Sequence, residues 1–259
     1  MATKRAPKRK PFTRAELNNQ TIRQPDGSEA EAYIVHTVET NTERYFTVRP
    51  QIDDFGAPYR HHFAVYDDGD YASDLTEGGQ YTHEEIAAHE VAYLDVDELP
   101  AHMVQDWAVT MDMLYAGDGD GLYVEIGGAI ARKIEEDDYD RLGPETESAL
   151  IGGSLFIYKM LAVRPEYRRN QTVPIGARLM AHALATLSRT CNDLSVCVAL
   201  PEKTKWEKDY PPTDSKKLVA HYKRLGWSIF PGIDSSFTQV TPLIYNHALN
   251  PSWDPKPNR

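Results

Sequence analysis

The residues whose types and spacing suit chemistry begin at Phe156. Positions 156–163 are dense in β-formers, and Arg164, Pro165, Glu166, Tyr167, Arg168 and Arg169 follow at once. After a short polar stretch come Pro174, Ile175 and Gly176, and then Leu179, Met180, Ala183, Leu184 and Leu187 at helical spacing. Proline suits the first turn of a helix, where its missing N–H costs nothing. The unit therefore reads as strand, polar loop, helix. Unpaired amides at that helix N-terminus, with the dipole behind them, favour a pyrophosphate. Glu125 is the other candidate. It interrupts Leu122, Tyr123, Val124 and Ile126 on a segment that reads as a strand running into Gly127 and Gly128. Two settings stand for it: a pocket, where a raised pKa would let it take a proton from an ammonium group, or the solvent face of an alternating strand.

A second unit follows. Residues 194–200 read as a buried strand, and residues 217–227 form an amphipathic helix stopped by Gly226. Across residues 156–230 the order resembles the acyl-coenzyme A core of GNAT N-acyltransferases. The motifs that carry the resemblance are Leu161, Ala162 and Val163 closing a strand, Pro165, Glu166, Tyr167 and Arg168, and a loop from Gln171 to Gly176. A helix ending Tyr222, Leu225, Gly226, Trp227 before another strand completes it. The resemblance implies an α/β fold with a mixed, mainly antiparallel sheet flanked by helices, with an extra N-terminal hairpin here. It implies direct transfer from acetyl-CoA, or another acyl-CoA, to a primary amine. Backbone near Leu161, Ala162 and Val163 would hold the pantetheine. Arg168, Arg169, Gln171, Thr172, Val173, Ile175, Gly176 and Ala177 would surround the pyrophosphate. Tyr222 would protonate the leaving thiolate. Ser215 stands where many members carry an asparagine that contacts the cofactor. Pro174 replaces the first glycine of the family's loop, which is longer here. Nothing between 156 and 163 is acidic, so the base comes from elsewhere: Glu125 or a water chain.

Two other readings of the chain follow. A basic arm suggests a nucleobase- or DNA-modifying protein on the same fold, and Pro174 suggests a degenerate scaffold that binds protein. His83 and His89 lack the i, i+4 spacing of a zinc helix, and Asp118 and Asp120 lack the remaining ligands of a calcium loop. No metal is expected. His61 and His62 precede a strand and suit either a cleft or an exposed surface.

These groups need a scaffold, and 259 residues with 41% hydrophobic content can supply one. Residues 1–14, with Lys4, Arg5, Lys8, Arg9 and Lys10, read as a disordered basic arm with neither a secretory h-region nor an anchor. Residues 15–100 read as N-terminal strands and a helix, 101–250 as the acyltransferase core, and 251–259 as an extended tail. Residues 32–38 and 45–48 read as a hairpin, 62–66 as a short strand, and Thr82 to Glu85 as a capping box opening a helix within 84–93. Met103, Val104, Trp107, Met111 and Leu114 mark a further helix. Residues 129–140 suit a second strand or a short helix equally. Residues 150–163 read as one strand or as two broken at Gly152 and Gly153. Two cysteines outside any C-x-x-C pattern fit a reducing compartment, and a cytoplasmic location with no membrane partner is expected. The net charge of −11 repels phosphate backbones and favours cationic partners, amines among them.

Overall fold

A computed structural model describes residues 11–40, 59–76, 85, 88–100, 110–112, 122–135, 153–169, 171–187, 194–198, 204–208, 215–230 and 241–246. In chain order these form α1 (Arg14–Leu17), β1 (Thr21–Arg23), β2 (Glu29–Glu31), β3 (Tyr33–Thr40), β4 (Tyr59–Tyr66), α2 (Gly69–Thr76) and β5 (Glu90–Pro100). Then come α3 (Leu122–Glu135), β6 (Ser154–Val163), a 3-10 turn (Pro165–Tyr167), α4 (Ile175–Leu187), β7 (Leu194–Val198), α5 (Ser215–Lys223), β8 (Ser228–Ile229) and β9 (Pro242–Asn246). β1 and β2 make a small separate hairpin, and the other strands form one seven-stranded sheet in the order β3-β4-β5-β6-β7-β9-β8. Every pairing in that sheet is antiparallel except β6 with β7. The sheet thus runs through the expected boundary at residue 100.

One face of the sheet carries the main core. Phe63, Leu94, Val96, Phe156 and Tyr158 meet Leu179, Ala183 and Leu184 of α4 there. A smaller cluster on the other face joins Ala64 and Tyr66 to Tyr71 and Ala72 of α2. The two faces follow from the pleat, which sends alternate side chains of β4 to opposite sides.

The body starts earlier than composition suggests. Phe12, assigned by composition to the arm, is buried. Its amide donates to the Arg224 carbonyl at 3.4 Å, and the Arg224 guanidinium lies 3.7 Å from its ring centroid. Thr13 and Glu16 form a reciprocal capping box that starts α1. An apolar anchor and a cap outweigh the basic composition of the preceding residues; residues 1–10 lie outside the described residues.

Several elements add to the sequence expectation or depart from it, and one expected strand is not among the described residues. The second strand of the expected hairpin, 45–48, lies outside the described residues, and β3 pairs with β4 along its whole length. The segment 84–93, expected to be helical in part, is helical at 85, 88 and 89, and Glu90–Pro100 then forms a strand. It is central and covered on both faces, so its pattern shows no amphipathic period. Segment 122–128, read as a strand, is helical and continues through Glu135, which also settles the start of 129–140. Tyr123, Ile126 and Ala129 bury one face of it, and that tertiary burial overrides a β-rich local composition. β9, whose residues carry little alternation, inserts between β7 and β8.

Candidate functional site

The parallel β6–β7 pair ends at Tyr158 opposite Cys197. Beyond it, β6 continues from Lys159 to Val163, paired only with β5 among the described residues. Among the described residues that stretch of β6 therefore has no strand on the β7 side. Tyr123 of α3 stands at the fork, donating its hydroxyl to the Tyr158 carbonyl at 3.4 Å. A bulge coincides with the fork: Asp95 faces Met160 and Val96 faces Tyr158, which leaves Lys159 as the extra residue. The open edge leads through the 3-10 turn to the start of α4. There the Pro174 carbonyl takes the amides of Ala177 and Arg178, and Ile175 and Gly176 are the first-turn donors.

Next to the fork lies a pair of side chains that sequence reasoning did not join. His62 Nδ1 and Asp95 Oδ1 are 2.7 Å apart, with 34% and 30% of their side chains exposed. His62, Asp95 and Met160 occupy one cross-strand row of β4, β5 and β6. Strands lie about 4.8 Å apart, so His62 is roughly 10 Å from the open strand. Its neighbour Phe63 touches His182 of α4; His62 therefore faces the opposite side of the sheet. The ring of Tyr93 stacks beside it at 5.9 Å, and Lys205, paired with Glu90 at 2.9 Å, lies over Tyr93. Burial pushes the His62 imidazole down, but the Asp95 hydrogen bond and the charges of Asp95 and Glu90 outweigh it. The net shift is upward. The other histidine, His61, is enclosed on the α4 side in a chain from His36 (3.1 Å) to Glu98 (2.9 Å), whose second oxygen accepts from Ser154 at 2.9 Å. Sequence proximity of His61 and His62 was the only advance signal, because Asp95 is far along the chain.

No family model matches this chain, and no curated protein sequence does. Among solved structures it is similar to the Drosophila melanogaster polyamine N-acetyltransferase that forms N-acetylagmatine, at 17% identity and a TM-score of 0.34, covering 71% of this chain and 74% of that one. It is also similar to a mutant agmatine N-acetyltransferase in its apo form, at 16% identity and a TM-score of 0.34, covering 82% and 98%.

The positions expected from the GNAT resemblance divide into those the structure gathers and those it does not. Leu161, Ala162 and Val163 form the open edge, with Ala162 buried. The Val163 carbonyl accepts from Arg168 Nε at 2.8 Å, and Arg168 Nη1 reaches Glu207 at 2.7 Å, which holds that carboxyl below its ordinary range. Arg169 and Thr172 are exposed beside it. Gln171 is committed elsewhere: its amide bridges both backbone groups of Arg23 at 3.0 and 2.8 Å, tying the β1–β2 hairpin to the loop. Val173, Ile175 and Ala177 turn their side chains into the core, which leaves only their backbone for a ligand to reach. The Ala177 amide is already used by Pro174.

At Gly176 a Cβ would stand 3.4 Å from Leu161 Cδ2 and 3.4 Å from Val163 Cγ2, ordinary contact distance, so α4 packs closely on β6 there with room for little more than a methyl group. Tyr222 is 7% exposed on the inner face of α5. Its ring lies 6.3 Å from Trp227, which in turn stands 5.4 Å from Tyr158 at the fork. Gly226 ends that helix at φ +95°, with the Trp227 amide returning to the Tyr222 carbonyl at 3.2 Å. Ser215 opens α5 and is half-buried. Glu125 is the correction: it is exposed in the first turn of α3, a helix, and not in a pocket on a strand.

Proposed function

We propose that this chain is a GNAT-fold N-acyltransferase that moves an acyl group from acetyl-CoA, or another acyl-CoA, to a primary amine by direct transfer. The observation that carries this reading is the open edge of β6 from Lys159 to Val163, ending at the α4 N-terminus. An extended pantetheine needs unpaired backbone groups to pair with, and a pyrophosphate needs first-turn amides. Among the described residues both occur in one continuous path, along which the Val163 carbonyl is already taken by Arg168. The path fits despite Pro174, since the proline N–H would have been only one of several orphan donors.

Bound acyl-CoA supplies an activated thioester carbonyl. The chain's own groups do the rest. The Ile175 and Gly176 amides, with Arg168 and Arg169 nearby, hold the phosphates of the cofactor. His62, oriented by Asp95, takes a proton from the attacking ammonium, directly or through one water. Tyr222 holds a proton for the departing sulfur, and Ser215 stands at the start of its helix. The acidic body attracts a cationic acceptor. Among the described residues no helix is long and apolar enough to cross a membrane.

Isothermal titration with acetyl-CoA tests the reading. We expect saturable binding, and acetyl transfer to a diamine in a coupled thiol assay. Tyr222→Phe should keep binding and lower turnover by about 10²–10⁴-fold. Absence of any acetyl-CoA binding by the folded protein would overturn the proposal.

A further inference from the structure

An acceptor nitrogen has to lie between the base and the Lys159–Val163 stretch of β6, and the chain holds an ammonium of its own there. His62 belongs to β4, and Tyr93 to β5, the strand next to β6. With strands about 4.8 Å apart, Tyr93 is one spacing from β6 and His62 two. The Tyr93 ring stacks on His62 at 5.9 Å, and its hydroxyl donates to Met160 Sδ of β6 at 2.9 Å. The ring thus spans from the base to the strand of the cofactor path. Lys205 Nζ stands 4.9 Å from the centre of that ring and 5.1 Å from the Trp206 ring. It is paired at 2.9 Å with Glu90, which is buried. Its charge reaches His62, whose protonation it opposes.

The turn that carries Lys205 is tied to β6. Thr204 Oγ1 donates to Glu207 at 2.9 Å, and Glu207 accepts from Arg168 at 2.7 Å. Arg168 Nε in turn donates to the Val163 carbonyl at 2.8 Å. The Lys205 side chain is 46% exposed, so its arm is free to swing along Tyr93 while the turn stays fixed. Holding an amine beside its reaction partner makes the transfer effectively unimolecular. We propose that Lys205 is a self-acylation site, taking the acyl group from acyl-CoA on its Nζ when no other amine is present. The inference rests on the acyltransfer reading and adds a modification to it. The new C–N bond forms at Nζ as the thioester C–S bond breaks. Of the two protons the nitrogen gives up, one goes to His62 and on to solvent, and the other to the departing sulfur. The product has lost the cation that pairs with Glu90 and opposes protonation of His62.

The test incubates the full chain with acetyl-CoA and no added amine, and follows acetylation by peptide mass spectrometry. Calorimetry measures acetyl-CoA binding on the same preparation. Lys205 should gain one acetyl group at least about tenfold faster than Lys208, an exposed lysine on the same turn. His62→Gln should slow that step by about 10²-fold or more and leave acetylation of Lys208 as it was. Lys205→Arg keeps the cation beside Glu90 and should bind acetyl-CoA with parent affinity, with no acetyl group at position 205. Acetyl-CoA binding without acetylation of Lys205 would overturn this proposal and leave the acyltransfer reading standing. Equal rates at Lys205 and Lys208, or an unchanged Lys205 rate in His62→Gln, would mean direct chemical acetylation by the thioester and would overturn it too. Absence of acetyl-CoA binding would overturn both.

Discussion

A base for amine acylation must be neutral when it works, and His62 sits where its protonation can be tuned. Burial and three charged neighbours act on it. Asp95 at 2.7 Å and the Glu90 carboxylate favour the charged ring, while burial and the Lys205 ammonium oppose it; the net shift is upward from the ordinary value of 6.5. Acyl transfer should therefore fall as pH drops through a value above 6.5. The stability linkage has the opposite sense. A raised histidine pKa stabilises the fold below the unfolded value and loses that contribution as pH rises through the folded one, so the ion pair is spent in the range where the base acts. Asp95→Asn removes the hydrogen bond to a carboxylate and the strongest favourable charge, leaving burial dominant, so the acid limb of kcat/KM should move to lower pH. His62→Gln should remove that limb and cost about 10²–10⁴-fold in rate. A limb set by the acceptor amine would stay put in both variants. Profiles that overlay the parent enzyme would take His62 out of the mechanism.

At the scale of elements, α4 and β6 meet closely at Gly176. A Cβ there meets Leu161 and Val163 at 3.4 Å, ordinary contact distance. Gly176→Ala should thus fold and bind acetyl-CoA close to parent affinity. Gly176→Val adds methyl groups to a filled contact, and overpacking of this kind costs about 1–3 kcal/mol, here by pushing α4 away from the open strand. Its acetyl-CoA dissociation constant should rise by about tenfold or more, measured by calorimetry; unchanged affinity would place the ligand elsewhere. The elements around this contact were legible in sequence. β6 and β7 are apolar runs between turn signals, Pro174 marks one helix start, and Gly226 marks a helix end. Others were not. Leu122–Glu135 opens with β-branched and aromatic residues, and its helical stripe of Tyr123, Ile126 and Ala129 emerges only when packed. β5 hides its apolar run behind Glu90, Asp97 and Glu98. Each is buried with a partner from another strand or loop: Lys205 for Glu90, Arg60 and Lys159 for Asp97, and His61 and Ser154 for Glu98. The His62–Asp95 pair was illegible for the same reason, since strand register alone brings the two together.

Across the whole molecule, the N-terminal segment acts as a strap over α4 and α5 rather than as an appendage. It is fastened at Phe12 by Arg224, at Asn19 and Thr21 by Arg178, and at Arg23 by Gln171. Only the residues before Pro11 have the composition of a solvated arm: Lys4, Arg5, Lys8, Arg9 and Lys10 with almost no apolar surface. Deleting residues 1–10 should therefore shift the melting temperature by less than about 2 °C, since exposed, charged segments contribute little to stability. Deleting residues 1–17 is a different experiment. It removes Phe12 and Leu17, both buried, together with the Thr13–Glu16 cap. Burial of each apolar side chain stabilises by roughly 1.5–3 kcal/mol, and the cap by about 1 kcal/mol. For a domain of this size each kcal/mol moves the melting temperature by about 2–4 °C. A compact denatured state trims the burial gain, so we take the low end and expect a fall of at least about 6 °C. Both deletions are read by calorimetric melting of the same preparation. If the longer deletion melts within about 2 °C of the full chain, the strap is not part of the cooperative fold. If the shorter deletion alone lowers the melting temperature by 6 °C or so, the basic arm packs on the body and its composition is a poor guide to its place.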